Sequence, residues 1–434
     1  MKFIPSFKEG SLARNASWMF LGQGMSFVVQ AAYFILLARL LGSQQYGIFV
    51  GAFALVSIVS QYSTMGSGLV MLRHVSQDRS KFGEYWGNVI LTTFSVGFLV
   101  IILLKVFSKW IVGPSSASVV VLVALGECTC ARLSECAGQA FQAFENLRWT
   151  ATLTTLTNIT RLIAVGVLML LFRHATVMQW ATTSVIVSVI SAIVAVSAVS
   201  YLIGRPKFRP RLLVDSAAEG IGFSFACSTT SVYNDLDKTM LSHYGMTAAN
   251  GVYSMAYKVI DISCAPIRAL HSAAFPKFCQ KGMEGARASI DFTKQLLRKT
   301  LPYALVAAAG MFLTARFIPM IVGKSFESSV PALQWLCLIP AFRTFHLSAG
   351  DALTGAGYQR YRTTCQLLAA SLNFGLNLFM IPMWSWRGAA WSSLMTDGFL
   401  AAANWFVLTT LIRKERHAIS EPVIVRETEM ADVA

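Results

Sequence analysis

The sequence predicts an all-α integral membrane protein with twelve transmembrane helices in two six-helix bundles related by a parallel internal repeat. Three observations predict it. Of 434 residues, 55% are hydrophobic and 13% charged, against about 45–50% and about 25% in soluble domains. Twelve apolar runs fall at 16–41, 47–70, 85–107, 117–144, 150–172, 176–203, 217–243, 248–275, 298–322, 329–356, 363–384 and 387–412, each long enough to cross a bilayer at about 20 residues. Basic residues alternate between connections: 23 of the 36 lie on one side and five (Lys105, Lys109, Arg173, Lys324 and Arg387) on the other, which places both termini in the cytoplasm.

Taken in order, Lys2, Lys8 and Arg14 precede a first run without the short apolar core and cleavage site of a signal peptide, so it is retained. Six runs make the first bundle, 1–204. The linker 205–216 opens with Arg205-Pro206-Lys207-Phe208-Arg209-Pro210-Arg211 and reads as a basic cytoplasmic hinge. Six more make the second bundle, 217–412, followed by a cytoplasmic tail, 413–434. The longest connection, roughly 276–297, is basic, and every outer loop is about ten residues or fewer. No extramembrane domain fits, which excludes an ordinary soluble enzyme. The net charge of +15 is scattered between apolar runs rather than gathered on one face, so no nucleic-acid partner is expected. The eight cysteines show no CxxC and no His at zinc spacing and read as small packing residues.

Two string matches carry the repeat. Ala137-Gly138-Gln139-Ala140-Phe141-Gln142-Ala143 closes the fourth run as Ala349-Gly350-Asp351-Ala352-Leu353-Thr354-Gly355 closes the tenth, at an offset of 212 that also relates Arg148 to Arg360. Gly47-Ile48-Phe49-Val50-Gly51-Ala52-Phe53 matches Gly251-Val252-Tyr253-Ser254-Met255-Ala256-Tyr257 at an offset of 204. Because six runs return the chain to its starting side, the halves share one orientation, as in parallel-repeat transporters.

Ala38-Arg39-Leu40-Leu41-Gly42 with Tyr46-Gly47, Asp237-Lys238 ahead of Gly251 to Tyr257, and Ala274-Phe275-Pro276 together resemble the Wzx-type polysaccharide (O-antigen or exopolysaccharide) flippases of the MOP superfamily. The resemblance implies a multi-pass protein of the cell inner membrane that moves an undecaprenyl-diphosphate-linked oligosaccharide between leaflets by alternating access. It implies membrane lipids as surroundings, polysaccharide polymerase and glycosyltransferases as partner enzymes, and a monomer. The two extra spans usual in lipid II flippases are absent. A lipid II flippase, a MATE-like drug or cation exporter and an integral-membrane glycosyltransferase stay open as alternatives, the last opposed by the short outer loops. P-loop, HExxH and GxSxG strings are absent, and no catalytic residue, metal or cofactor is expected.

Charges inside spans mark the candidate site, since each costs about 2.5–3.5 kcal/mol at the bilayer centre. Arg132 with Glu135, Asp235 with Lys238 and Lys258 with Asp261 stand three residues apart and are expected to neutralise each other. Arg161, Arg268 and Arg343 have no acid at three or four residues. They are the candidate diphosphate ligands, because the guanidinium fork suits phosphate oxygens; pairing with Glu127 or Asp397 from another helix is the alternative. Pro266 and Pro340 precede Arg268 and Arg343, and His271 and His346 follow them. The prolines are expected to break their helices beside the charge, and the histidines to serve as neutral packing groups. Glu127 and Asp397 are candidates for ion coupling. Gln23, Gln30 and Gln61 lie on polar helix faces that fit sugar hydroxyls or interhelical contacts. Trp110, Trp180, Trp384 and Trp386 are expected to form an interfacial belt.

Overall fold

In the computed structural model residues 12–420 are described, except for the side chains of 12–23, 27, 286, 412 and 414–420. Lys2, Lys8 and the end of the tail lie outside them. Among the described residues no strand forms, as lipid demands of a backbone that must satisfy its own hydrogen bonds.

Fifteen helices follow in order: α1 Leu12–Ser60, α2 Ser67–Gln77, α3 Phe82–Leu125, α4 Arg132–Ala143, α5 Leu147–Leu171, α6 Val177–Leu202, α7 Pro210–Asp215, α8 Ala217–His243, α9 Thr247–Met283, α10 Ala286–Thr314, α11 Ile318–Val322, α12 Ser329–Leu336, α13 Ile339–Gly355, α14 Gln359–Trp384 and α15 Trp386–Ser420. Each of the twelve apolar runs lies on one or two of them. α1 holds two runs and turns at Gly42, whose φ of 69° only glycine adopts cheaply. α3 turns in the same way at Gly113 ahead of Pro114, and one π-helical turn, Gly126–Ala131, joins it to α4. Thr176 caps α6 by accepting from the Gln179 amide while the Gln179 side chain returns to the Thr176 amide.

Among the described residues seven segments are long and apolar enough to cross a membrane: Gly24–Ser60, Arg79–Ala143, Leu147–Leu171, Val177–Leu202, Arg287–Val322, Gln359–Trp384 and Trp386–Leu411. They cover nine of the runs, the first two segments holding two each. The runs at 217–243, 248–275 and 329–356 fall outside them, the last because it is split between α12 and α13, of 8 and 17 residues.

The chain forms two compact units, the first of residues 1–262, 311–336 and 373–392 and the second of 263–310, 337–372 and 393–434. Their boundary passes through α9, α10, α14 and α15. In the first unit the linker is tied to the start of α3: the Lys207 amide donates to the Gly83 carbonyl at 2.7 Å, and Arg209 Nη1 meets Glu84 Oε2 at 2.8 Å.

The repeat is visible in both units. Ala137, Ala140 and Phe141 sit in a buried cluster with Trp86 and Met71, and their counterparts Ala349, Ala352 and Leu353 sit in one with Phe278 and Leu408. The other string packs on itself within the first unit. A methyl group at Gly47 would strike the Thr247 carbonyl, and one at Gly251 would strike the Ser43 carbonyl. Ser43 and Thr247 are themselves 204 apart, so the contact is two-fold symmetric. Without a hydrophobic force between helices in lipid, such close backbone approach is what holds spans together.

Two expectations are corrected and one holds. α9 runs unbroken over Pro266 and Pro276, since a proline removes one hydrogen bond that neighbours can replace. The tenth run does break, between α12 and α13, where Pro340 occupies the first turn and its missing N–H costs nothing. Trp180 is fully buried against Tyr33 and Phe49, with ring centroids 5.7 and 6.2 Å away, and is no belt residue; Trp110 and Trp384 are exposed.

Candidate functional site

One set of charges in the first unit lies on α8 and α9. Lys238, nearly buried, gives its ammonium to Asp235 Oδ1 at 2.7 Å and to the Asn234 carbonyl at 2.7 Å, as its spacing predicts. Asp235 Oδ2 accepts from Ser57 of α1 at 2.6 Å. Asp237 is buried, accepts from the Lys238 amide at 2.7 Å and from the Tyr253 hydroxyl. Asn250 donates to the Lys238 carbonyl at 3.0 Å and to the Gly47 carbonyl at 3.3 Å, which locks α8, α9 and α1 into one frame.

Lys258 departs from expectation. Its ammonium stands 4.1 Å from the centre of the Phe34 ring, and among the described residues no carboxylate closes on it. Asp261 and Asp235 attract it from beyond contact distance while Lys238 repels it. The predicted pair with Asp261 is therefore not made, because the lysine stem turns to the aromatic face of α1. A cation over a ring gains about 0.5–2 kcal/mol, less than the about 2.5–3.5 kcal/mol a charge costs at the bilayer centre. The balance leaves an ammonium suited to an anionic ligand.

Arg161 Nη2 on α5 meets Glu127 Oε1 at 2.8 Å, both about one-fifth exposed. The acid lies 34 residues away, out of reach of local spacing. Arg132 and Glu135 pair at 2.6 Å, and Arg132 also reaches Ser60 at 2.9 Å. Arg132 and Glu135 line a small cavity with Gln61, Gln139 and Ser224. Gln61 donates to Ser231 at 3.2 Å, Gln30 is exposed on α1, and the Gln23 side chain lies outside the described ones.

In the second unit a different cluster forms. His271 Nδ1 of α9 lies 2.8 Å from Asp351 Oδ2 of α13, and Arg362 Nη1 of α14 lies 3.2 Å from Asp351 Oδ1. Arg362 also donates to Thr354 at 2.8 Å. His271 and Asp351 are buried, and the imidazole is hydrogen-bonded to the carboxylate inside the unit. Arg268 and Arg343 are half-buried in this unit and Asp397 is buried; Arg343 and Arg362 both act electrostatically on His346. Sequence reasoning missed the cluster because Arg362 counts as a connection cation and Asp351 has no local base. The signal was present in the repeat, where Asp351 and Arg362 stand at the positions of Gln139 and Thr150.

Solved structures share this fold. The chain superposes on the lipid II flippase MurJ in its inward closed conformation with a TM-score of 0.72 at 12% identity, covering 93% of this chain and 89% of that one. It superposes on a multidrug resistance MATE family transporter in its inward-facing conformation with a TM-score of 0.68 at 10% identity, covering 92% and 99%. An uncharacterized membrane protein of Methanocaldococcus jannaschii is 18% identical over 419 residues, 89% of this chain and 81% of that protein. Residues 12–281 match the polysaccharide biosynthesis protein family, and the chain belongs to it.

Proposed function

We propose that this protein is a flippase that carries an undecaprenyl-diphosphate-linked oligosaccharide across the inner membrane by alternating access of two bundles. Family membership supports the saccharide, and the fold shared with a lipid II flippase supports a lipid-linked one. The observation that carries the reading is Lys258, a largely buried ammonium that touches an aromatic ring and, among the described residues, no carboxylate. A diphosphate would meet it with oxygens and remove the cost of the uncompensated charge. Arg268 and Arg343 are proposed as further diphosphate ligands, whereas Arg161, committed to Glu127 at 2.8 Å, would have to exchange partners to join them. Gln61 is proposed to meet sugar hydroxyls, and Asp397 to contribute to ion coupling.

Purified protein in vesicles should move a fluorescent undecaprenyl-diphosphate-linked saccharide to the outer leaflet and leave a cationic dye untouched. Dye export without lipid movement would establish the exporter reading instead. The proposed orientation, with both termini inside, is tested by single cysteines in a Cys-free background: positions Ser115 and Ser325 should label from outside with an impermeant thiol reagent, and Ser216 should not.

A further inference from the structure

The hydrogen bonds around His271 can be counted. Asp351 accepts from Arg362 on one oxygen and faces His271 Nδ1 with the other at 2.8 Å. An ionised carboxylate only accepts, so Nδ1 carries a hydrogen. On the opposite side of the ring Nε2 lies 3.5 Å from Ser348 Oγ. The single hydroxyl hydrogen of Ser348 is given to the Thr344 carbonyl at 2.8 Å, so the oxygen turns lone pairs toward the ring. Both ring nitrogens therefore face acceptors. That arrangement suits an imidazolium, which donates from both; loss of the Nε2 proton would set lone pair against lone pair unless Ser348 released Thr344.

The surroundings agree with a site for one proton. Asp351, His346 and Arg343 come from α13 and Arg362 from α14. Arg268 stands one turn earlier on α9, and α15 brings the buried acid Asp397. α10 contributes an apolar wall, Phe292 against Phe278, whose ring stacks near His271 with centroids 6.5 Å apart.

The first copy of the repeat shows that helix packing does not require this cluster. At the same offset of 212 its residues are Gln139 for Asp351 and Thr150 for Arg362, and the group against Gln139 is Gly68. A buried polar cluster that one copy omits and the other completes has a task other than packing.

We propose that His271 is the coupling proton site of the transporter, its Nε2 lone pair taking one proton and Asp351 sharing the new charge with Arg362. Protonated, the ring ties α9 to α13 at both nitrogens; deprotonated, it forces Ser348 to turn and loosens that tie. The coupling role rests on the transporter reading, and proton binding does not.

The two parts are measured separately. Full-length protein labelled with 15N-histidine, titrated with acid and base in lipid vesicles, should show one imidazole signal with both nitrogens protonated at the acid end and one proton lost at the alkaline end. H271Q should lack that signal. The double variant D351Q/R362T, which installs residues the first copy already packs, should keep it but move its midpoint. A His271 signal neutral throughout, or one indifferent to D351Q/R362T, would overturn the site. For coupling, an inside-to-outside pH gradient should change the wild-type transport rate and leave that of H271Q unchanged, while in D351Q/R362T, which keeps the proton site, the pH at which the rate responds should move with the midpoint of the signal. Equal response in wild type and variant would overturn coupling, whereas a wild type that moves no lipid in any gradient would overturn the flippase reading and leave the spectrum to decide proton binding.

Discussion

The two copies of the repeat solve one packing problem with different chemistry. In the first, a Cβ at Gly138 would lie 3.5 Å from the Thr150 methyl, an ordinary contact; in the second, a Cβ at Gly350 would lie 3.1 Å from Arg362 Nε. The glycine, the neighbouring alanines and the large apolar residue that follows are kept at the offset of 212, so small residues carry the fold in both. Charge is added where Gln139 becomes Asp351, Thr150 becomes Arg362 and Ala131 becomes Arg343. The lesson is that scaffold and function can be separated inside one chain, the first copy acting as an internal control for the second.

The largest effect should come from the shared scaffold. Gly47→Leu or Gly251→Leu drives a side chain into a facing carbonyl, and each should abolish folded protein in detergent, read by size-exclusion chromatography; overpacking of this kind costs about 1–3 kcal/mol where side chains yield, and more where backbone must. A tolerant Gly251 beside an intolerant Gly47 would break the symmetry claimed for the pair. Next is Arg161→Ala, which strands Glu127 and should cost about 3–5 kcal/mol in denaturant unfolding. The double change R161Q/E127Q should recover most of it. If it also recovers transport, the pair is structural and Arg161 is no ligand.

A sharper contrast follows in the second copy. Asp351→Asn alone leaves Arg362 and His271 without their shared anion and should lower stability by about 1–3 kcal/mol, whereas D351Q/R362T should stay within about 1 kcal/mol of wild type, as the first copy's residues do in their own place. Equal losses in both would mean the cluster is needed for packing. The smallest effect belongs to the surface pair of Arg73 and Glu219, 2.9 Å apart with the arginine 61% exposed; Arg73→Ala should change stability by less than about 1 kcal/mol.

Helices were legible in the sequence because lipid leaves the backbone few choices: each apolar run lies on helix, and the i,i+3 pairs of Arg132 with Glu135 and Asp235 with Lys238 close as spacing predicts. Contacts between helices were not. Glu127 lies 34 residues before Arg161, and Asp351 lies 80 after His271, so no local pattern joins them. Lys258 misled in the opposite sense. Asp261 stands at the right spacing, yet the ring of Phe34, more than 200 residues away, captures the ammonium, because a long flexible stem reaches groups on other helices as readily as a neighbour on its own. Proline misled too, since only tertiary context decides whether a helix continues through it.

The central claim is that the charges of the second half serve an anionic substrate and not the fold, and Lys258 tests it most directly. In vesicles of matched protein content, K258M should flip the fluorescent undecaprenyl-diphosphate-linked saccharide at least about tenfold more slowly than wild type, a change of about 1.4 kcal/mol, with unfolding stability equal or higher because a buried cation is gone. K258R should retain part of the rate by keeping the charge. A K258M protein that flips at the wild-type rate, or one whose transport loss is matched by loss of folded protein, would contradict the account.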